Sequence, residues 1–162
     1  MGRSRTLFAS VSVRAALLAG IAAGVIATAI EIALWTLHGD PLPATLYRDM
    51  RLAAAIAMGS AVLLPPATFD TSVALVATLV HFALSILYAL LLAPVIANLG
   101  RIASIATGAL FGVALYVVNL FGFTLIYPWF AATRDAVTLT AHVGFGVAVA
   151  VVYRMMSPAA AR

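Results

Sequence analysis

Four strongly polar side chains interrupt otherwise apolar stretches of the chain, and these are the residues that could carry chemistry. They are Glu31, His81, Asn119 and His142. A carboxylate and two imidazoles could relay protons, because His titrates near neutral pH. The same three groups could bind zinc or iron, for which two His and one carboxylate are a known ligand set. They could also coordinate a cationic substrate, and the two His could be the axial ligands of a haem.

The elements that must position these side chains are apolar segments of membrane-spanning length. The 162-residue chain is 65% hydrophobic and only 9% charged, against roughly 25% charged residues in an average soluble domain. A spanning helix needs about 20 mostly apolar residues, and segments 13–37, 72–97, 102–127 and 136–156 qualify. The composition excludes an ordinary soluble domain, a disordered chain and a nucleic-acid-binding module. It predicts one integral membrane domain, residues 1–162, folded as an all-α four-helix transmembrane bundle.

A shorter apolar segment, 52–64, lies between the first two spans and is apolar except for Ser60. Its length suits a short re-entrant or interfacial helix better than a full span. Arg48, Asp49 and Arg51 directly precede it and are expected to form a solvated entrance.

The arginines predict the orientation, because cytoplasmic loops carry an excess of positive charge. Four spans with a cytoplasmic N-terminus place six arginines inside and three outside, whereas five spans would place four inside and five outside. The six are Arg3, Arg5, Arg14, Arg101, Arg154 and Arg162, and the three are Arg48, Arg51 and Arg134. We therefore expect both termini in the cytoplasm. The absence of Lys, with abundant Ala and Arg, is typical of a GC-rich bacterial genome and favours a bacterial inner membrane.

The four polar residues are predicted to share one depth in the bilayer. Glu31 and His142 each lie six residues from the outer end of their spans, Asn119 lies eight and His81 nine. At 1.5 Å per residue, all four lie roughly 9–14 Å below the outer boundary. Ionisable groups inside a span are costly and mark a functional site by default.

The segments also suggest an internal repeat, which either a duplicated helix pair or chance explains. A constant offset of 88 residues relates part of the first span to the third, and an offset of 61 relates His81 to His142. The first set pairs Gly20, Gly24, Val25 and Glu31 with Gly108, Gly112, Val113 and Asn119.

Three functions remain open from these residues. The leading hypothesis is an ion or proton relay through Glu31, His81, Asn119 and His142, in a lipid-embedded protein that forms a homo-oligomer or joins a larger membrane complex. The first alternative is a haem- or metal-binding membrane protein. The second is a structural or assembly subunit in which Glu31 bonds a His and Asn119 locks the bundle. No nucleophile–base pair is evident, so we expect neither an enzyme nor a required cofactor, and no nucleic-acid partner.

The run RLAAAIAMGSAVLLPP at 51–66, followed by HFALSILY at 81–88, resembles small uncharacterised proteobacterial inner-membrane proteins of the YagU type. The resemblance covers most of the chain and implies an integral inner-membrane protein, with no catalytic residue to carry over. Some such proteins are labelled sodium:proline symporter. A symporter of that class is far larger, so the label implies little about mechanism.

Overall fold

The computed structural model describes residues 11–157, and within that range the chain is helical without strands. The helices are α1 (Val13–His38), α2 (Leu42–Met58), α3 (Thr71–Ile96), α4 (Arg101–Val117) and α5 (Ala136–Met156). Four stretches are long and apolar enough to cross a membrane, namely α1, α3, α5 and the stretch from α4 to Leu125. The predicted all-α four-helix membrane fold is therefore confirmed. Arg3, Arg5 and Arg162, used above to predict orientation, lie outside the described residues.

The four long helices form an up-and-down bundle in which α1 and α5 are the central pair. Helix α5 packs extensively against both α1 and α4, and α1 packs against α3. Helices α3 and α4, although consecutive in the chain, make few contacts with each other. The bundle therefore has three close seams, and its fourth side, between α3 and α4, is loosely packed.

Glycines allow the backbones of α1 and α3 to approach closely. A β-carbon placed on Gly20 would lie 2.8 Å from the Cα atom of Ile86, and one on Gly24 would lie 2.9 Å from Ser85 Oγ. Small residues at such crossings let membrane helices pack backbone to backbone. The spacing of four residues between Gly20 and Gly24 thus fixes the register of α1 on α3.

The seam between α4 and α5 is tighter still and follows the same pattern. A β-carbon on Gly108 would fall against the carbonyl oxygen of Gly146, and one on Gly112 against the carbonyl oxygen of His142. Gly24 faces His81 on the first seam as Gly112 faces His142 on the second. These pairings keep the offsets of 88 and 61 residues, as a duplicated helix pair requires.

The half of the bundle nearest the start of α1 is filled by fully buried side chains. Leu92, Ile96, Val149 and Tyr153 are at most 1% exposed, and they pack among alanines of α1 and α3. The Tyr153 hydroxyl also accepts a hydrogen bond from the backbone N–H of Ser12, 3.2 Å away. This end, which we call the amino-terminal end, is therefore densely packed.

Helix α2 differs from the predicted apolar segment 52–64. It begins at Leu42, with Pro43 in the first turn where its missing N–H costs nothing, and it ends before Gly59, whose φ of 83° leaves the helical region. A separate 3-10 turn, Ser60–Leu63, follows. The predicted segment is thus split at Gly59, and its helical part starts ten residues earlier. Within the described residues, α2 is not among the helices that could span a membrane.

The third span also departs from its predicted form near its end. Regular α-helix stops at Val117, and the chain continues as a π-helical turn, Val118–Gly122, and a 3-10 turn, Phe123–Leu125. Arg134 explains the change, because its Nε donates to the carbonyl oxygen of Leu120 at 2.7 Å. π-turns inside helices occur frequently at functional sites.

Candidate functional site: a polar cavity within the bundle

A cavity of about 440 Å³ lies between the long helices, beyond the densely packed amino-terminal end. All four predicted residues line it: Glu31 from α1, His81 from α3, Asn119 from the π-turn after α4, and His142 from α5. The helices therefore bring the predicted polar layer together around one space. The walls are otherwise mainly apolar, as in most small-molecule sites.

Three of the cavity side chains form a directional hydrogen-bond chain. The Tyr88 hydroxyl donates to Asn119 Oδ1 at 2.8 Å, and Asn119 Nδ2 donates to His142 Nε2 at 3.3 Å. His142 Nδ1 lies 2.8 Å from the carbonyl oxygen of Thr138 and donates to it. This pattern requires a neutral His142 with its proton on Nδ1. Asn119 and His142 are thus held as a clasp that joins α3, the π-turn and α5.

Glu31 stands apart from this chain. Its carboxylate lines the cavity, and among residues 11–157 it accepts no hydrogen bond. The predicted bond between Glu31 and a His is therefore not formed. The carboxylates of Asp49 and Asp135 are close enough to interact with it electrostatically. Glu31 is an acidic group in an apolar setting that no described donor neutralises.

Only one of the two ring nitrogens of His81 has a hydrogen-bond partner among the described residues. Its Nε2 lies 3.2 Å from the carbonyl oxygen of Gly24 and donates to it, which a Gly at this position permits because a β-carbon would lie 3.1 Å from the same nitrogen. The ring also contacts Phe82 edge-on, with centroids 5.2 Å apart. His81 Nδ1 has no hydrogen-bond partner among the described residues. One ring nitrogen is therefore left to exchange a proton.

Asp49 is a cavity residue that the sequence did not indicate. It was expected in a solvated entrance with Arg48 and Arg51, but it lines the cavity from the middle of α2. Burial raises the pKa of Asp49 to about 6, an effect that Arg48 opposes and Asp135 strengthens. An Asp with this pKa exchanges protons near neutral pH.

Of the other two predicted entrance residues, Arg48 is exposed and Arg51 has a structural role. Its guanidinium donates to the carbonyl oxygens of Val62 at 2.7 Å and Thr68 at 2.9 Å. It thereby ties α2 to the turn and loop that lead into α3. Trp129 holds α2 from the other side, because its Nε1 donates to the carbonyl oxygen of Leu52 at 3.2 Å. These contacts position Asp49 over the cavity.

The geometry offers little to a metal or a haem. Within residues 11–157, no three His, Cys, Asp or Glu side chains are grouped so that they could hold a metal ion. Both ring nitrogens of His142 are occupied by Asn119 and Thr138, and His81 Nε2 is bonded to Gly24. The ligand set considered from the sequence, Glu31 with two His, is therefore not assembled.

Comparisons of the chain with models of known protein families, with curated proteins and with solved structures find no match. The YagU-type resemblance stays a prediction.

Proposed function

We propose that this membrane protein takes up and releases protons, or a small ion, at Glu31 within the cavity. The observation that carries the proposal is the Glu31 carboxylate, which lines an apolar cavity without a hydrogen-bond donor among the described residues. A carboxylate left unpaired inside a span is expensive, and binding a proton or cation there removes that cost.

Two neighbours support a path for protons to and from Glu31. His81 lines the same cavity with an unpartnered Nδ1, and Asp49 lines it from α2 with a pKa of about 6. A carboxyl group with this pKa gains and loses a proton readily, and an imidazole nitrogen without a partner can accept one. We assign Glu31 as the exchange site and His81 and Asp49 as its relay partners.

The proposed orientation is that of a bacterial inner-membrane protein with both termini in the cytoplasm. Among the described arginines, three lie at the amino-terminal end and three at the opposite end, so the proposed bias comes from Arg3, Arg5 and Arg162. The dense amino-terminal end would then face the cytoplasm, and the cavity would lie in the outer half of the bilayer.

Reconstitution into liposomes tests the proposal. Proton entry is followed with a trapped pH-sensitive dye, under an imposed membrane potential. We expect the wild-type chain to conduct protons or exchange them for a cation, and Glu31→Gln to lower the rate at least tenfold. Glu31→Asp should keep part of the rate, because it retains the carboxylate. Asp40→Asn is the matched control, since it removes an exposed carboxylate from the loop after α1.

His81→Gln tests the relay, with His38→Gln as its matched control at an exposed position of the same residue type. Equal rates for the wild type and for Glu31→Gln, with both proteins inserted and monodisperse, would refute the proposal.

A second function, a purely structural subunit, is favoured by the clasp from Tyr88 to Thr138. Three polar groups there satisfy one another and need no ligand. In that case Asn119→Ala should lower stability, and Glu31→Gln should leave proton flux unchanged. Loss of flux in Glu31→Gln, with normal stability, selects the exchange function instead.

A further inference from the structure

The cavity is larger and more apolar than proton exchange at one carboxylate requires. A volume of about 440 Å³ falls in the range of small-molecule sites, roughly 300–1,000 Å³. Within residues 11–157, no three His, Cys, Asp or Glu side chains are grouped as ligands of a metal ion. The space between the helices therefore has the dimensions of an organic ligand.

The charged side chains that line the cavity indicate the charge of that ligand. The lining contains two carboxylates, Glu31 and Asp49, and neither Arg nor Lys. Asp135 is a third carboxyl group close enough to Glu31 to interact with it electrostatically. Arg48 offsets part of the field at Asp49, but its side chain is exposed and does not line the cavity. An anion would find no cationic partner there, whereas a cation would neutralise an unpaired carboxylate.

The aromatic side chains that line the cavity favour a ligand with apolar and aromatic surface. Aromatic rings from three parts of the fold line the cavity: Tyr88 on α3, Phe145 on α5, and Phe123, Tyr127 and Phe130 in the segment between α4 and α5. Aromatic faces attract cations within about 6 Å of the ring centre, and more strongly where water is excluded. Such walls also bury the apolar groups of a ligand.

From these observations we propose that the cavity binds an amphipathic organic cation, with Glu31 as its counter-ion and the aromatic side chains as its walls. This inference rests on the proposed exchange at Glu31 and names the substrate class of that site. A proton and the organic cation would occupy the same carboxylate in turn, so that release of one accompanies binding of the other.

The loosely packed side between α3 and α4 gives such a ligand a route from the bilayer. Tyr88 on α3 and Asn119 beyond α4 line the cavity on this side, and the hydrogen bond between them crosses the gap. An amphipathic cation concentrates at the membrane interface, from which it could enter between these helices.

Equilibrium dialysis of the purified full chain in detergent tests the inference, with radiolabelled tetraphenylphosphonium as the probe. We expect saturable binding at about one probe per chain. Glu31→Gln should weaken it at least tenfold, and Glu31→Asp should weaken it less. Tetraphenylborate, which has the same four phenyl groups around a negative centre, should not compete. Phe130→Leu should weaken binding several-fold, whereas Phe69→Leu, at an exposed position outside the cavity, should not.

The outcomes separate this inference from the proposed function. Proton flux that depends on Glu31, without saturable binding of tetraphenylphosphonium, would refute the organic-cation inference alone. Saturable binding that depends on Glu31, without any proton flux, would refute the exchange function and leave a binding protein. Equal binding by the wild type and Glu31→Gln, or equal competition by tetraphenylborate, would overturn the assigned site.

Discussion

Substitution of Gly112 by Ala tests the packing that holds the cavity together. A β-carbon at this position would fall against the His142 carbonyl oxygen and lie 2.7 Å from the Cα atom of Val143. Both are backbone atoms, so no side-chain rotation relieves the contact. Helices α4 and α5 would have to separate locally by about 1 Å, the kind of overpacking that costs roughly 1–3 kcal/mol.

The expected net effect follows from two opposing contributions. Because the clash is with backbone, we take the upper figure of about 3 kcal/mol. Replacement of Gly by Ala within a helix stabilises the folded state by about 1 kcal/mol, because Ala has the higher helix propensity. The difference, about 2 kcal/mol, corresponds to roughly a thirty-fold shift in the unfolding equilibrium. Gly122→Ala is the matched control, because a β-carbon there meets nothing within 4 Å and should be neutral or slightly stabilising.

The assay is SDS titration of the purified chain in detergent, followed by the fluorescence of its two tryptophans. Gly112→Ala should unfold at a lower SDS fraction than the wild type, and Gly122→Ala should not. If Gly112→Ala and Gly122→Ala unfold together, then the close approach of α4 and α5 is wrong, and with it the placement of His142 beside Asn119.

Three further substitutions address single groups. Tyr88→Phe removes the hydrogen bond to Asn119 and should cost about 0.5–1.5 kcal/mol in the same titration; an unchanged midpoint would show that the clasp does not form. The pKa of Asp49, about 6 through burial, exceeds the unfolded value of about 3.9, so stability should fall as pH rises between these values. Asp49→Asn should lack that slope, and a slope that persists in the variant would assign it elsewhere. Hydrogen bonds from Ser72 at the start of α3 lower the pKa of Asp70, so its stabilising effect is present near neutral pH and is lost as pH falls through the lowered pKa. Asp70→Ala should lower the unfolding temperature at pH 7 and differ less from the wild type in acid; a pH-independent difference would contradict this.

The long helices could be predicted because bilayer thickness translates directly into a run of about 20 apolar residues. Their starts follow from local chemistry that the sequence displays. Asp70 accepts from the N–H groups of Ser72 and Val73, and Asp135 accepts from that of Thr138, so each caps its helix. Span length and capping are both local, and the spans were predicted correctly because local rules decide them.

Three features were not predicted correctly: the end of the third span, the bounds of α2 and the position of Asp49. They depend on contacts between residues distant in the sequence. The π-turn forms because Arg134 binds the carbonyl oxygen of Leu120 fourteen positions earlier. The polar half of α2 is helical because Arg51 and Trp129 secure it to the loop before α3 and to the turn before α5. Asp49 therefore reaches the cavity through tertiary packing that no periodicity in its own segment indicates.

A duplicated helix pair would account for the two unlike halves of the cavity, one with an unpartnered carboxylate and one with a hydrogen-bonded amide. Gly24 faces His81 as Gly112 faces His142, so a duplicated helix pair would place Glu31 and Asn119 at equivalent positions. The Asn119 amide donates a hydrogen bond to His142 and accepts one from Tyr88.

An ionised carboxylate can accept hydrogen bonds but cannot donate them. His81 Nε2 donates its hydrogen bond to the carbonyl oxygen of Gly24 and not to Glu31. The two helix pairs therefore differ. Asn119 is held in the hydrogen-bonded clasp, whereas Glu31 lines the cavity without a described hydrogen-bond partner. The proposed cation site therefore rests on Glu31, the carboxylate that stands where the other helix pair has the amide of Asn119.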